Sequence, residues 1–142
     1  MNPVDKILGD IYSLGRVVPK IGTPYHGNIE KQTLQNNNYR NVIATERNSQ
    51  LVLMTLKPHE QIGNEVHNKS DQFFRIEQGT ALFSLDNGKR KFTLGTGGAV
   101  IVPKGHWHNV TNVGSNLLKL YTVYSPATHP PGTIQKVRPK ND

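Results

Sequence analysis

Apolar positions follow two regimes along this chain. Over the first twenty residues they are sparse, and Ile7, Leu8, Ile11 and Leu14 after Asp5 suit a short amphipathic helix. From Asn41 onward they gather into short runs divided by turn residues. Residues 41–44, 72–77, 80–85, 91–94, 106–111 and 117–124, together with Ala99–Val102, each read as a strand. Gln50–Leu56 is almost continuously apolar, the pattern of a strand covered on both faces, and Pro58 ends it. Asp86-Asn87-Gly88 predicts a hairpin, because Asn-Gly accepts the positive φ that tight hairpin turns need. In 117–124, Leu118, Leu120 and Thr122 alternate with Lys119, Tyr121 and Val123. Strands recurring every eight to twelve residues predict an all-β antiparallel sandwich or barrel. Residues 39–127 form the expected barrel, with an N-terminal extension over 1–38 and a C-terminal tail over 128–142.

Composition narrows the class. A chain of 142 residues with 35% hydrophobic residues suits one domain with one core. Thirteen glycines and nine prolines supply the turns that many short strands require. With no cysteine, disulfides, thiolate metal sites and a cysteine nucleophile are excluded. The first twenty residues lack the unbroken apolar stretch of a secretory signal, and no segment approaches the roughly 20 apolar residues that span a membrane. A soluble, cytoplasmic protein is expected. The formal net charge of +7 includes one basic run, Lys89, Arg90 and Lys91, without interleaved aromatics. A solvated basic surface is therefore expected, and neither nucleic acid nor membrane as a partner.

The candidate chemistry lies in two stretches. Glu65 and His67 are two apart, so on a strand both side chains face one side. Gln72 opens the next strand on the face of Phe74 and Ile76, at the rim of the same cavity. His106 and His108 form a second pair at strand spacing. Imidazoles, a carboxylate and a carboxamide converging from three strands suit a first-row divalent ion. His26, His59 and His129 have no partner at strand spacing and read as surface or hydrogen-bonding residues. Trp107 and Phe74 read as core.

These positions give the chain its resemblance to the small single-domain members of the cupin superfamily. Of the first cupin motif, His59, Glu65, His67, Gln72 and Gly79 occupy the equivalent positions. The second motif is matched in full by Gly97, Pro103, Gly105, His108 and Asn112. The resemblance extends over roughly residues 29–135 and includes His129-Pro130-Pro131-Gly132. There are departures. His59 stands where the family has glycine, Glu65 where it has the first histidine, and Gln72 where it has glutamate. The last two compensate: one carboxylate remains among the ligands, on a different strand.

The resemblance implies a jelly-roll barrel, or double-stranded β-helix. It also implies one divalent transition metal (manganese, iron, nickel, zinc or cobalt) held by Glu65, His67, His108 and Gln72. Gln72 would act as a fourth ligand or would orient Glu65. Cupins include dioxygenases, decarboxylases, isomerases and epimerases as well as non-catalytic binders. A metal-dependent enzyme acting on a small polar substrate, a sugar derivative or an organic acid, is the leading expectation. His106 or Tyr121 would then carry protons, and Lys104 or Lys119 would attract an anion. The alternative is a non-catalytic small-molecule binder or assembly subunit. Under either reading the two-faced strand Leu51–Leu56 suggests a homodimer.

Overall fold

The computed structural model describes residues 19–140, so the expected helix around Ile7–Leu14 lies outside the described residues. Among the described residues, one helix, α1 (Ile29–Gln35), precedes nine strands: β1 (Arg40–Thr45), β2 (Gln50–Leu56), β3 (Asp71–Gln78), β4 (Ala81–Leu85), β5 (Arg90–Leu94), β6 (Ala99–Val102), β7 (His108–Asn112), β8 (Leu118–Ser125) and β9 (Ile134–Gln135). The strands form a six-stranded sheet in the order β6-β3-β8-β2-β1-β9 and a three-stranded sheet in the order β5-β4-β7. Every pairing is antiparallel. The architecture is all-β, a jelly-roll barrel of two facing sheets. Among the described residues, no helix is long and apolar enough to cross a membrane.

The period-two rule places the core. Phe74 and Ile76 of β3, Phe83 of β4, Val110 of β7, and Leu118 and Leu120 of β8 are buried on the inward faces. Phe74 meets Phe83 edge-on at 5.3 Å, and Phe83 stacks on Phe92 at 5.6 Å. The β4–β5 hairpin turns one residue earlier than Asn-Gly suggests. Asp86 (φ 54°) and Asn87 (φ 58°) take the two left-handed positions, and Gly88 N–H donates back to the Leu85 carbonyl at 3.1 Å.

β2 is buried on both faces, as its apolar run predicts, but its own chain supplies the cover. The helix α1, which hydrophobic periodicity did not predict, starts where the Asn28 side chain accepts the Lys31 N–H at 3.0 Å. It ends at Asn36, which lies over the outer face of β2: Thr55 Oγ1 donates to the Asn36 carbonyl at 2.7 Å. On the outer face of β2, Leu53 and Thr55 are thus covered within the chain, and only Leu51 is left half-buried for a homodimer to cover.

Lys119, paired opposite Thr55, is only 5% exposed. Its amine donates to the Asn36 carbonyl and to Asn37 Oδ1, and burial lowers its pKa. This excludes Lys119 as a cation that attracts substrate: it is a tie between β8 and the end of α1. Lys119→Met removes the tie while keeping most of the volume. It should lower stability by about 1–3 kcal/mol in urea unfolding, the cost of removing a charged partner from buried polar groups.

Candidate metal site

The site forms where the segment before β3 crosses the start of β7. Glu65 and His108 pair directly: Glu65 N–H donates to the His108 carbonyl at 2.9 Å, and His108 N–H to the Glu65 carbonyl at 2.8 Å. Gly63, at φ 101°, turns the chain into this pairing, and its N–H is held by Asn109 Oδ1 at 2.9 Å. Two residues on, the His67 carbonyl accepts Gly105 N–H at 2.8 Å. Gly105 itself sits at φ 84° in the turn that delivers β7.

This backbone scaffold brings three side chains together. Glu65 Oε1 lies 3.3 Å from His67 Nε2 and 3.3 Å from His108 Nε2. One ligand atom from each residue falls within 4.8 Å of the others, a separation that a single ion can bridge. His108 is 1% exposed. Its Nδ1 lies 3.1 Å from the His106 carbonyl, which makes Nδ1 the protonated nitrogen and leaves the Nε2 lone pair facing the cluster. That Nε2 is buried and has no hydrogen-bond partner. A buried lone pair beside a carboxylate oxygen and a second imidazole is the donor set that a divalent transition metal takes up. The residues fit the ion that the fold implies.

Electrostatics agree with the geometry. Without an ion, the imidazolium forms of His108 and His67 can donate to Glu65 from Nε2 instead; burial pushes the Glu65 carboxyl upward, but those hydrogen bonds and positive charges outweigh it, and the pKa falls from 4.5 to about 2. A depressed carboxyl contributes stability that is full above about 4.5 and lost as pH falls toward about 2. Urea unfolding of metal-free protein across that interval should show stability falling with acidity. Glu65→Gln should flatten this fall relative to wild type.

Gln72 is 1% exposed on β3. Its Nε2 donates to Thr122 Oγ1 at 3.0 Å, whereas its Oε1 is buried without a hydrogen-bond partner. That oxygen is available as a ligand or as an acceptor. Gln72 lies in one inward row with Tyr124 of β8 and Gln50 of β2. Tyr124 is 1% exposed and packs edge-on against His67, with ring centroids 5.3 Å apart. Burial, and then the Glu65 carboxylate, raise its pKa, so the hydroxyl remains protonated. An open cleft of about 340 Å³ runs between residues 66–70 and Ala127–Thr128 and reaches His67.

Neither expected proton carrier joins the cluster. His106 precedes β7, so strand alternation with His108 does not operate; its Nδ1 sits 2.8 Å from Asp86 Oδ1, and the side chain is half exposed. Tyr121 lies on the face of β8 opposite Thr122 and Tyr124, with its ring beside Phe73 at 6.2 Å. Alternation along β8 already separates Tyr121 from that row and extends it to Tyr124. Trp107, expected in the core, is 42% exposed. His129, read as a surface or hydrogen-bonding residue, is half-buried, with Nε2 3.3 Å from the Tyr124 hydroxyl. Asn112, the last position of the second motif, is fully buried; its Oδ1 accepts Gly114 N–H, and its amide donates to the Leu56 and Asn116 carbonyls.

Comparison with known proteins places this geometry among relatives. The family model described as Cupin domain matches residues 52–124. The chain is 46% identical over 119 residues to the uncharacterized protein L612 of Acanthamoeba polyphaga mimivirus, covering 82% of this chain and 74% of L612. It is 40% identical over 119 residues to the uncharacterized protein YrkC of Bacillus subtilis strain 168, covering 81% of this chain but only 64% of YrkC. The crystal structure of BH2720 from Bacillus halodurans superposes with a TM-score of 0.82 at 36% identity, covering 86% of this chain and 96% of that one.

Proposed function

Since this chain belongs to the cupin family, we propose that it binds one divalent transition metal through Glu65, His67 and His108 and is a metal-dependent enzyme acting on a small polar molecule, a sugar derivative or an organic acid. The observation that carries this reading is the buried, unpartnered His108 Nε2 facing the Glu65 carboxylate beside His67. A bound divalent ion would supply Lewis-acid polarisation of a substrate oxygen.

This chain's residues supply the rest. Three protein ligands leave coordination positions for substrate or water, and the Glu65 side chain is 30% exposed, so the site has an open side. Tyr124 offers a protonated hydroxyl beside His67, suited to orienting a polar group of the substrate. Gln72 Oε1 either completes the ligand set or accepts a hydrogen bond from a bound molecule. Phe74, packed 6.0 Å from the His108 ring, closes the inner wall against water. The open cleft along residues 66–70 reaches the site at His67.

A homodimer belongs to the same proposal, on different support. On the outer face of the large sheet, Ile101, Phe73, Val123 and Leu51 lie in register across four neighbouring strands, and Ile101 is 65% exposed. A second copy of this chain would cover that row. Light scattering at micromolar concentration should return twice the mass of one chain, and Ile101→Asp should return one.

Elemental analysis of protein purified without added metal is the direct test. About one redox-active ion per chain, lost in Glu65→Ala, supports the enzyme. No ion in protein dialysed against zinc, manganese, iron, nickel or cobalt salts refutes the site. A single zinc ion with no exchangeable water points instead to the non-catalytic module.

A further inference from the structure

The segment following β8 is fastened to the barrel beside the metal site by one buried side chain. Gln50 Nε2 donates to the His129 carbonyl at 2.7 Å and to Thr45 Oγ1 at 2.9 Å. Gln50 Oε1 accepts the N–H groups of Thr128 at 3.1 Å and His129 at 3.0 Å. All the hydrogen-bonding capacity of this 1% exposed carboxamide is therefore used, most of it on two consecutive residues of the segment. A second fastening comes from the loop that carries His67, where Ser70 Oγ donates to the Pro126 carbonyl at 2.8 Å.

The fastening has a consequence for the site. It holds the His129 ring edge-on against Tyr124, with centroids 5.2 Å apart, and Tyr124 also meets the His67 ring edge-on at 5.3 Å. The two metal-facing imidazoles are thus oriented differently. His108 starts a strand and has its Nδ1 fixed by the His106 carbonyl. His67 lies outside the strands, so ladder hydrogen bonds do not set its ring; its contacts are Glu65 Oε1 at 3.3 Å from Nε2, the His108 ring at 5.4 Å and the packed Tyr124 ring.

We propose that Gln50 and His129 are positioning residues, which set the ring orientation of His67 through Tyr124 and make the C-terminal segment an outer layer of the site. This rests on reading Glu65, His67 and His108 as the ligands. Removing an outer partner of a metal ligand costs affinity because the lone pair is no longer aimed at the ion. Neither residue touches the ion in this arrangement, and neither is a catalytic residue.

Cobalt(II), whose visible absorption reports ligand geometry, is the probe. Wild type should bind one equivalent. Gln50→Leu and His129→Ala should each weaken cobalt binding about 10-fold and shift its absorption bands. His129→Phe, which refills the ring against Tyr124, should restore most of both. In metal-free protein, the His67 ring signals in imidazole nitrogen–proton NMR spectra should move in His129→Ala while those of His26 stay in place. A lowered melting temperature in Gln50→Leu and His129→Ala with wild-type affinity and bands, or unmoved His67 signals, would overturn the proposal and leave a purely structural tail. A wild type that takes up no cobalt would overturn it together with the ligand assignment, and that outcome is read before any variant is made.

Discussion

His108→Ala should abolish stoichiometric metal uptake, with affinity falling by more than about 100-fold, beyond the range that outer partners of a ligand command. His108 is the proposed ligand whose orientation leaves least freedom. Its backbone exchanges two hydrogen bonds with Glu65, its Nδ1 faces the His106 carbonyl, and its ring lies against Phe74. The Nε2 lone pair is therefore aimed before any ion arrives, and alanine removes both the donor and the ordering around it. Glu65 loses a partner in the same step, so its carboxyl should rise from about 2 toward its ordinary value. Metal content after dialysis, and isothermal titration with zinc, read the first effect. Retention of one tightly held ion per chain by His108→Ala would remove His108 from the ligand set. His67→Ala should act in the same direction and more weakly, because the His67 side chain is 15% exposed against 2% for His108, and water can partly replace it.

The strands were legible because the period-two rule is strong wherever one face is buried. Gln50–Leu56 and Ala99–Val102 are strands with the bounds the pattern suggests, and the 117–124 pattern appears as β8, shifted by one residue. The meeting of Glu65, His67 and His108 was readable from spacing and motif position, although no strand ladder holds Glu65 and His67: an isolated pairing with His108 and a turn at Gly63 do the work. Where a strand begins decided the largest misreading. Alternation joins His106 to His108 only if β7 already runs through His106, and the Gly105 turn delays it by two residues. The α1 helix escaped notice because seven residues are too few for hydrophobic periodicity to register; the Asn28 cap and the tie from Lys119 stabilise it instead. Contacts between distant residues were invisible for another reason. Gln50 reads as the polar start of an apolar strand, and nothing local announces that its amide holds Thr128 and His129.

Phe74→Ala is expected to destabilise the protein by about 3–5 kcal/mol, a large share of the 5–15 kcal/mol typical of a domain this size. Phe74 is fully buried on the inward face of β3, with its ring edge-on to Phe83 at 5.3 Å and 6.0 Å from the His108 ring. Truncation removes an aromatic ring from the centre of the core and leaves a cavity that the flanking β-strands, fixed in register on both sides by β6 and β8, cannot close. The same ring is the inner wall of the proposed metal site. Phe74→Leu, which keeps most of the volume and should cost less than alanine, therefore separates two effects: a modest loss of stability, and a measurable loss of metal affinity as His108 gains room to tilt. Urea unfolding of metal-free protein, with the denaturant slope unchanged, gives the first quantity, and calorimetric titration of the folded variant gives the second. A cost below about 1 kcal/mol for Phe74→Ala, typical of surface positions, would mean that the ring does not lie between the two sheets. Unaltered metal affinity in Phe74→Leu would mean that the core and the site are mechanically independent despite their contact.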